Sequence, residues 1–164
     1  MKCMNCGATL RSTRENYRDR EMGLSNVVLN NIEIRRCPDC GEEEVVIPAV
    51  RRLHKAVALF LIEKPTRLNA EEIRFLRTYL NWASAEFAAN FGVEVATVSR
   101  WEHGKLNMSP QADRLLRLAI VHSEGQSPES YPIAKLRTVA NGAPQPLTLK
   151  LRQKKESWEL VKAS

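Results

Sequence analysis

The chain has 164 residues, of which 43% are hydrophobic and 27% are charged, so it can form one ordinary domain or two small ones and is not a wholly disordered protein. Its net charge of +6 is compatible with a nucleic-acid partner. The N-terminal residues lack the apolar segment of a secretion signal, and the longest apolar run, at 56–62, is too short to span a bilayer, so we expect a soluble cytoplasmic protein with no membrane partner.

All four cysteines lie in two matching Cys-x-x-Cys-Gly segments. The first holds Cys3 and Cys6, and the second holds Cys37 and Cys40. Two intervening residues let both sulfurs of a pair face one ion, and a reducing compartment disfavours disulfides. The pattern predicts one structural Zn²⁺ per chain, bound by four thiolates with no open position for catalysis. A redox Cys-x-x-Cys site is the alternative, but it requires one pair in a βαβ setting.

Short β-strands are predicted between the two cysteine pairs and just after the second pair. Strand patterns occupy four segments, 16–20, 27–29, 32–35 and 45–47. Asn30-Asn31 separates the second and third segments and predicts a turn or a bulge. A unit of this size buries too little core to fold alone, so we expect the metal to contribute much of its folding free energy. Metal removal is therefore expected to unfold this unit and leave residues 66–123 folded.

A helix from Pro48 to about Glu63 is predicted to complete this zinc-binding domain, residues 1–63. Proline suits the first turn of a helix, and apolar residues follow it at helical spacing. His54 falls on the flank of the helix, where we expect a solvated side chain and no metal ligand, because four cysteines already complete the site. The break at Lys64-Pro65-Thr66 predicts a linker between domains.

The second predicted domain spans residues 66–123 and is all helical. Its first helix begins with a capping box, in which Asn69 is the N-cap and Glu72 the third helical residue. Its last helix begins with Ser109 as the N-cap, followed by Pro110. The apolar stripe of this last helix fits either the core or a dimer contact and comprises Ala112, Leu115, Leu116, Ala119 and Ile120.

The centre of this domain, Ser84–His103, predicts a helix-turn-helix. Gly92 supplies the positive φ that ends the first helix sharply, and Ala88 lets two helices cross closely. In the second helix, a periodicity of 100° per residue turns Val98 and Trp101 towards the core. The opposite face suits a DNA major groove and comprises Ala96, Ser99, Arg100 and His103, with Thr97 on the flank. An ordinary helical hairpin used for protein contacts is the alternative.

The segment Thr97–Gly104, TVSRWEHG, resembles the recognition helix of the Cro/phage-repressor superfamily, whose usual pattern is T-[VI]-S-[RK]-[WY]-E-x-G. The resemblance implies a sequence-specific DNA-binding domain. Ser84 stands where the superfamily usually has Gln, at the position of an expected phosphate contact. One recognition helix covers only a few base pairs, so we expect a homodimer on a palindromic operator in double-stranded DNA.

Residues 124–164 form a C-terminal extension. Its first part, 124–146, is rich in Gly, Ser and Pro and predicts a linker or loosely packed cover. Residues 147–152 then alternate apolar and polar, and 158–161 can pair with them. The two interpretations are a β-hairpin and a frayed basic tail. With the preceding elements, the predicted fold class is α+β.

The order of these parts over residues 1–123 resembles the MqsA-type antitoxins of bacterial toxin–antitoxin modules. The resemblance implies that the zinc domain binds a toxin, often an mRNA-cleaving ribonuclease, while the helix-turn-helix domain dimerises and represses its own operon. In that family, an Asn and an Arg four residues later read the DNA. Arg100 matches the Arg, but Ala96 stands where the Asn would be, so the operator sequence does not carry over.

A stand-alone transcription regulator is the alternative function, with the zinc domain and the extension serving dimerisation or another partner. No nucleophile, base and orienting group converge in these motifs, so we do not expect an enzyme.

Overall fold

The computed structural model describes residues 1–161, in which helices pack against one face of a five-stranded sheet. The strands are β1 (Arg11–Arg18), β2 (Val27–Arg36), β3 (Glu43–Val46), β4 (Leu149–Lys154) and β5 (Ser157–Leu160). The helices are α1 (Val50–Ile62), α2 (Ala70–Tyr79), α3 (Ser84–Phe91), α4 (Val95–Glu102) and α5 (Pro110–Ser123), and a 3₁₀ helix covers Ile133–Thr138. The predicted α+β class is confirmed.

Strand β2 is the centre of the sheet. On one side it pairs antiparallel with β1 along most of its length. Its other side is shared, because β3 pairs antiparallel with residues 33–36 and β4 pairs parallel with residues 27–30. Strand β5 then forms a hairpin with β4. Of the two interpretations of the C-terminal extension, the β-hairpin is confirmed, and it completes a sheet begun by residues near the opposite end of the chain.

The Asn30-Asn31 pair forms a bulge in a continuous strand. These two residues of β2 face the single residue Asn16 of β1, and Asn31 has a φ of 59°. The extra residue bends β2 and moves the buried positions from Val27 and Leu29 before the bulge to Ile32 and Ile34 after it, so both halves of the strand bury the same face. The strand predicted at 16–20 was misplaced, since β1 begins at Arg11. Nearly all of β1 is exposed, so the strand lacks the apolar alternation by which sequence patterns are recognised.

The core lies between the inner face of the sheet and the helices. Alternate residues of β2 and β4 are buried on this face, among them Val27, Leu29, Leu149 and Leu151. They belong to one cluster of apolar side chains that continues through α1 into the helix-turn-helix region. Residues from the three predicted domains, 1–63, 66–123 and 124–164, therefore contribute to a common core, and the domain division itself stays a prediction.

The segment between α1 and α2, predicted as a linker, is held by buried polar groups. Lys64 is buried and forms an ion pair with Glu72, with a nitrogen–oxygen distance of 2.6 Å. Arg117 of α5 donates hydrogen bonds to the carbonyl oxygens of Ile62, Lys64 and Thr66 at 3.0, 2.5 and 2.7 Å. Buried polar groups of this kind fix a backbone because each unmade bond is costly.

None of the helices within residues 1–161 combines the length and the apolar character that crossing a bilayer requires.

Candidate metal centre and nucleic-acid interface

The two cysteine segments fold into matching knuckles. In the first, the backbone N–H of Cys3 donates to Ala8 and that of Gly7 donates back to Cys3, at 2.8 and 3.0 Å. In the second, Cys37 N–H donates to Glu42 and Gly41 N–H to Cys37, at 2.8 and 3.1 Å. Both glycines have positive φ, 78° and 75°, which is the conformation that this tight turn needs and that side chains disfavour.

The four cysteines come together in one cluster. Their Sγ atoms all lie within 4.8 Å of one another, with Cys3 and Cys40 3.6 Å apart and Cys6 and Cys37 3.4 Å apart. A tetrahedral Zn²⁺ with Zn–S bonds of about 2.3 Å places its sulfurs about 3.8 Å apart, close to these separations. All four thiols are free, and their sulfurs are too far apart for disulfide bonds. The cluster therefore fits the predicted Cys₄ zinc site.

The thiols perturb one another's protonation. The pKa of Cys37 is lowered to about 7, chiefly because the backbone N–H of Cys40 donates to its sulfur. For Cys6 the backbone N–H of Ala8 acts to lower the pKa, but hydrogen bonding with the thiols of Cys37 and Cys40, together with burial, raises it to about 12. Four thiolates this close repel one another, so full ionisation of the set requires a cation between them.

The helix-turn-helix forms as its sequence predicts. Helix α3 ends at Gly92, whose φ is 63°, and the N–H of Val93 donates to the carbonyl of Ala88 at 3.0 Å. This is a left-handed C-cap, which turns the chain sharply into α4. Phe87 packs against Phe91 with ring centroids 4.4 Å apart and against Trp101 at 6.2 Å. These rings hold α3 and α4 at a fixed angle.

Glu102 anchors α4 to α2, a role that sequence reasoning missed. Its carboxylate is buried and forms an ion pair with Arg77, which also donates to the carbonyl oxygen of Trp82 at 2.7 Å. The sequence signal was the Glu of the TVSRWEHG motif itself. Glu102 directly follows the core residue Trp101, which indicated a position near the core. The arginine that neutralises it, Arg77, lies 25 residues earlier in the chain.

The proposed DNA-reading side chains lie mostly on the surface of α4. Val98 and Trp101 are buried, and Thr97 is half-buried. The exposed positions of α4 and its C-cap include Ala96, Ser99, Arg100 and His103. Ser84, the first residue of α3, is half-buried.

Arg100 lies along its own helix. Its Nε donates to the carbonyl oxygen of Ala96 at 3.2 Å, and its Nη2 donates to the hydroxyl of Thr97 at 3.3 Å. Within residues 1–161 no carboxylate forms an ion pair with Arg100. His103 contacts the carbonyl oxygen of Ser99 through Nδ1 at 2.7 Å, which orients its ring along the same face.

Val95 is a further exposed residue of this surface that sequence reasoning missed. It is the first residue of α4 and is 49% exposed. An apolar side chain at the N-terminus of a recognition helix can contact a thymine methyl group. The preceding N-cap, Glu94, makes no side-chain cap bond, as expected for a residue type that caps poorly.

The apolar stripe of α5 is divided between two environments. Leu116 and Ile120 are buried in the core, whereas Leu115 is 44% exposed. Ala112 and Ala119 lie between these extremes. The core interpretation therefore holds for the inner residues, and Leu115 is left available on the surface.

His54, predicted to be solvated, is instead half-buried with its ring edge-on to Phe75 at 6.0 Å, and it lies outside the metal cluster.

Comparison with known proteins identifies the family. None of the curated proteins compared with the chain matches it. A family model described as the antitoxin component of a bacterial toxin–antitoxin system, MqsA, matches residues 1–126. That match spans the cysteine cluster, the helix-turn-helix and α5, and it stops before the 3₁₀ helix and the hairpin. The chain therefore belongs to the MqsA family of antitoxins.

Proposed function

We propose that this antitoxin is a transcriptional repressor that binds a palindromic operator in double-stranded DNA as a homodimer and regulates its own operon. The observation that carries the proposal is the surface of α4, where Arg100 is exposed and has no carboxylate partner among residues 1–161. Its Nε and one N–H of Nη2 are engaged on its own helix, which leaves the Nη1 and remaining Nη2 donors for the O6 and N7 acceptors of a guanine.

The neighbouring positions suit the same role. Ala96 and Val95 offer apolar contact to thymine methyl groups, and Ser99 and Thr97 can donate to phosphate or base. Ser84 lies at the N-terminus of α3, where a phosphate contact is favoured by the helix dipole. His103 lies at the end of α4, and because its Nδ1–H faces the carbonyl oxygen of Ser99, the Nε2 of the neutral ring is left as an acceptor.

We propose that the metal of the cysteine cluster is Zn²⁺. Four thiolates within 4.8 Å of one another suit tetrahedral zinc, and four sulfur ligands fill its coordination sphere, which is typical of a structural site. The ion would neutralise the thiolates and hold the two knuckles together.

Membership of an antitoxin family supports a toxin as the second partner, and we propose that the zinc-bearing part of the chain binds it. An mRNA-cleaving ribonuclease is the candidate toxin. A stand-alone regulator without a toxin partner remains the alternative.

The homodimer is proposed from the short length of α4 and from an exposed apolar residue on α5. Eight residues of α4 reach only a few base pairs, too few for selectivity in a genome. Leu115 provides an exposed apolar position on α5 where a second copy can pack. The cytoplasmic location predicted from the sequence stays a prediction.

The readout is tested with Arg100→Ala on operator DNA. Loss of a bidentate guanine contact is expected to cost about 1–3 kcal/mol and to relax selectivity at one base pair in each half-site. Affinities are measured for the variant and the wild type on operator and scrambled DNA at two salt concentrations. Arg51→Ala, an exposed arginine on α1, is the matched control and is expected to bind as the wild type does.

An equal loss on both DNAs would make Arg100 a phosphate contact, because phosphate contacts weaken all sequences alike. No loss on either DNA would remove Arg100 from the interface and contradict the proposal.

A further inference from the structure

The outer face of the sheet, opposite the helices, carries a group of cations brought together by the hairpin. In the β-sheet register Arg18 of β1 is level with Val28 of β2, and Val28 is level with Lys150 of β4. Arg152 and Lys154 follow Lys150 at two-residue intervals on the same face. The basic half-face is defined here as Arg18, Lys150, Arg152 and Lys154. Neighbouring members lie about 5–10 Å apart, from the spacing of strands and of alternate residues.

These side chains point to solvent. The inner positions of β4, Leu149 and Leu151, are buried against the core, while the alternate positions are exposed. The side chains of Arg152 and Lys154 are 58% and 69% exposed. The apolar core lies on the inner face, so within residues 1–161 the basic half-face is left uncovered.

The charge of the basic half-face is not balanced within the described residues. Glu159 of β5 forms ion pairs with both Arg152 and Lys154, at 3.1 and 3.3 Å. Arg18 and Lys150 form none with any residue of 1–161. The other half of the sheet differs, because Arg35 is matched there by Glu33 and Glu44.

An unbalanced cluster of this kind has a cost for the fold. Lys150, Arg152 and Lys154 are alternate residues on one face of β4, and Arg18 lies across β2 from Lys150, so like charges lie close together with Glu159 as the carboxylate paired with two of them. A ligand that brings negative charge to this face would relieve the repulsion. The same face also carries Glu159, Asn30 and Val28. An excess of positive charge on an exposed face is complementary to an acidic surface on a partner.

We infer that the basic half-face is a docking surface for an acidic face of a partner protein. A protein is favoured over single-stranded nucleic acid because the outer positions of β2, β4 and β5 hold no aromatic residue on which bases could stack. The surface lies across the sheet from the helices, so it can be occupied while α4 is on DNA. This inference rests on the proposed function in taking the antitoxin's toxin, encoded in the same operon, as the partner.

The test uses the full chain and the purified protein encoded by the adjoining gene of the operon. Charge reversal in Arg18→Glu/Lys150→Glu is expected to weaken binding by about tenfold or more, because like charges then face each other across the interface. The wild-type affinity is expected to fall with rising salt, and that of the variant to fall less. The matched control is Arg51→Glu/Arg137→Glu, which makes the same change of net charge at exposed arginines outside the basic half-face.

Circular dichroism, metal content and operator affinity confirm that each variant is folded. Equal binding by the wild type and both variants would overturn the docking surface and leave the proposed function standing. Equal weakening in both variants would also overturn it, because net charge alone would then account for the effect. If the adjoining protein does not bind the wild type, both this inference and the toxin partner fail, while operator binding is decided separately. If the Arg18→Glu/Lys150→Glu variant binds the adjoining protein as the wild type does but loses binding to a single-stranded oligonucleotide, the partner of this face is a nucleic acid and the inference is overturned.

Discussion

Arg117 shows how one side chain ties distant parts of the chain together. It is completely buried, and its guanidinium donates to the carboxylate of Asp113 at 2.7 Å and to three carbonyl oxygens of the α1–α2 connection. Asp113 in turn accepts the backbone N–H of Leu68 at 2.7 Å. Every charge and dipole in this group has a partner, and such a network is stable only while it is complete.

Arg117→Met is therefore expected to destabilise the protein by about 3–5 kcal/mol, because it leaves the Asp113 carboxylate buried without its cation. The free energy of unfolding is measured by urea denaturation. Arg51→Met is the control, and as a surface change it is expected to stay within about 0.5 kcal/mol of the wild type. A small effect at Arg117 would mean that water replaces the lost donors.

At the scale of elements, the hairpin β4–β5 and the segment before it join the two ends of the chain. Leu149 and Leu151 fill the inner face beside β2, and Trp158 is buried next to them on β5. Earlier in the extension, Tyr131 is buried and donates to the carbonyl oxygen of Ile62 at 3.0 Å. The backbone N–H of Ala140 donates to Pro65 at 2.8 Å. The extension thus covers β2, α1 and the α1–α2 connection at once.

A chain ending at residue 126 is expected to be largely unfolded or aggregated. Each fully buried large apolar side chain contributes about 1.5–3 kcal/mol, so the loss of Leu149, Leu151 and Trp158 approaches the whole stability of an ordinary domain. Thermal unfolding followed by circular dichroism tests this. A cooperative transition near that of the full chain would contradict it and would show that the part matched by the family model folds alone.

A second prediction at this scale concerns α5. Leu115→Asp is expected to convert the proposed dimer to a monomer with little loss of fold, because the side chain is 44% exposed and its replacement is solvated in the monomer. Sedimentation equilibrium measures the state of association. Leu116→Asp is the contrasting variant and is expected to unfold the protein, because Leu116 is fully buried. A Leu115→Asp protein that remains dimeric would place the interface elsewhere.

In the molecule as a whole, the cysteine cluster lies beside the last residue of β2, whereas the core packed on the helices is centred on the first half of the strand and extends to Ile32. Cys37 follows the end of the strand at Arg36, where β2 pairs with β1 and β3. The half that carries Val27 and Leu29 pairs with β4 and packs on the helices. Metal binding therefore stabilises chiefly the last part of β2, and packing against β4 and the helices stabilises chiefly its first part.

Chelation, or Cys37→Ser, is therefore expected to loosen the chain only as far as the middle of β2. Amide hydrogen exchange is expected to accelerate at residues 1–15 and 33–46, and protection is expected to persist at residues 27–30, 149–151 and in the helices. Addition of Zn²⁺ after chelation is the control and should restore protection. Uniform loss of protection across the chain would mean that the sheet unfolds as one unit with the metal.

Features of this protein whose chemistry is local could be predicted from the sequence. Two knuckles of two cysteines each permit few arrangements, and all four sulfurs meet as predicted. The capping box at Asn69 and Glu72 forms with both of its hydrogen bonds, and Gly92 ends α3 in the left-handed conformation that the turn needs. Each of these features depends on residues a few positions apart, where side-chain type and spacing settle the geometry.

Only the tertiary structure decided how those parts meet. The alternation in residues 147–152 predicted a strand with an apolar face, but a parallel pairing has no connecting turn to reveal its partner, and β2 lies more than 100 residues away. The burial of Arg117 and the pairing of Glu102 with Arg77 were likewise absent from local patterns, because the carbonyl oxygens that accept from Arg117 and the arginine that neutralises Glu102 are distant in sequence. The basic half-face has the same origin, since Arg18 and Lys150 become neighbours only when the end of the chain returns to the first sheet.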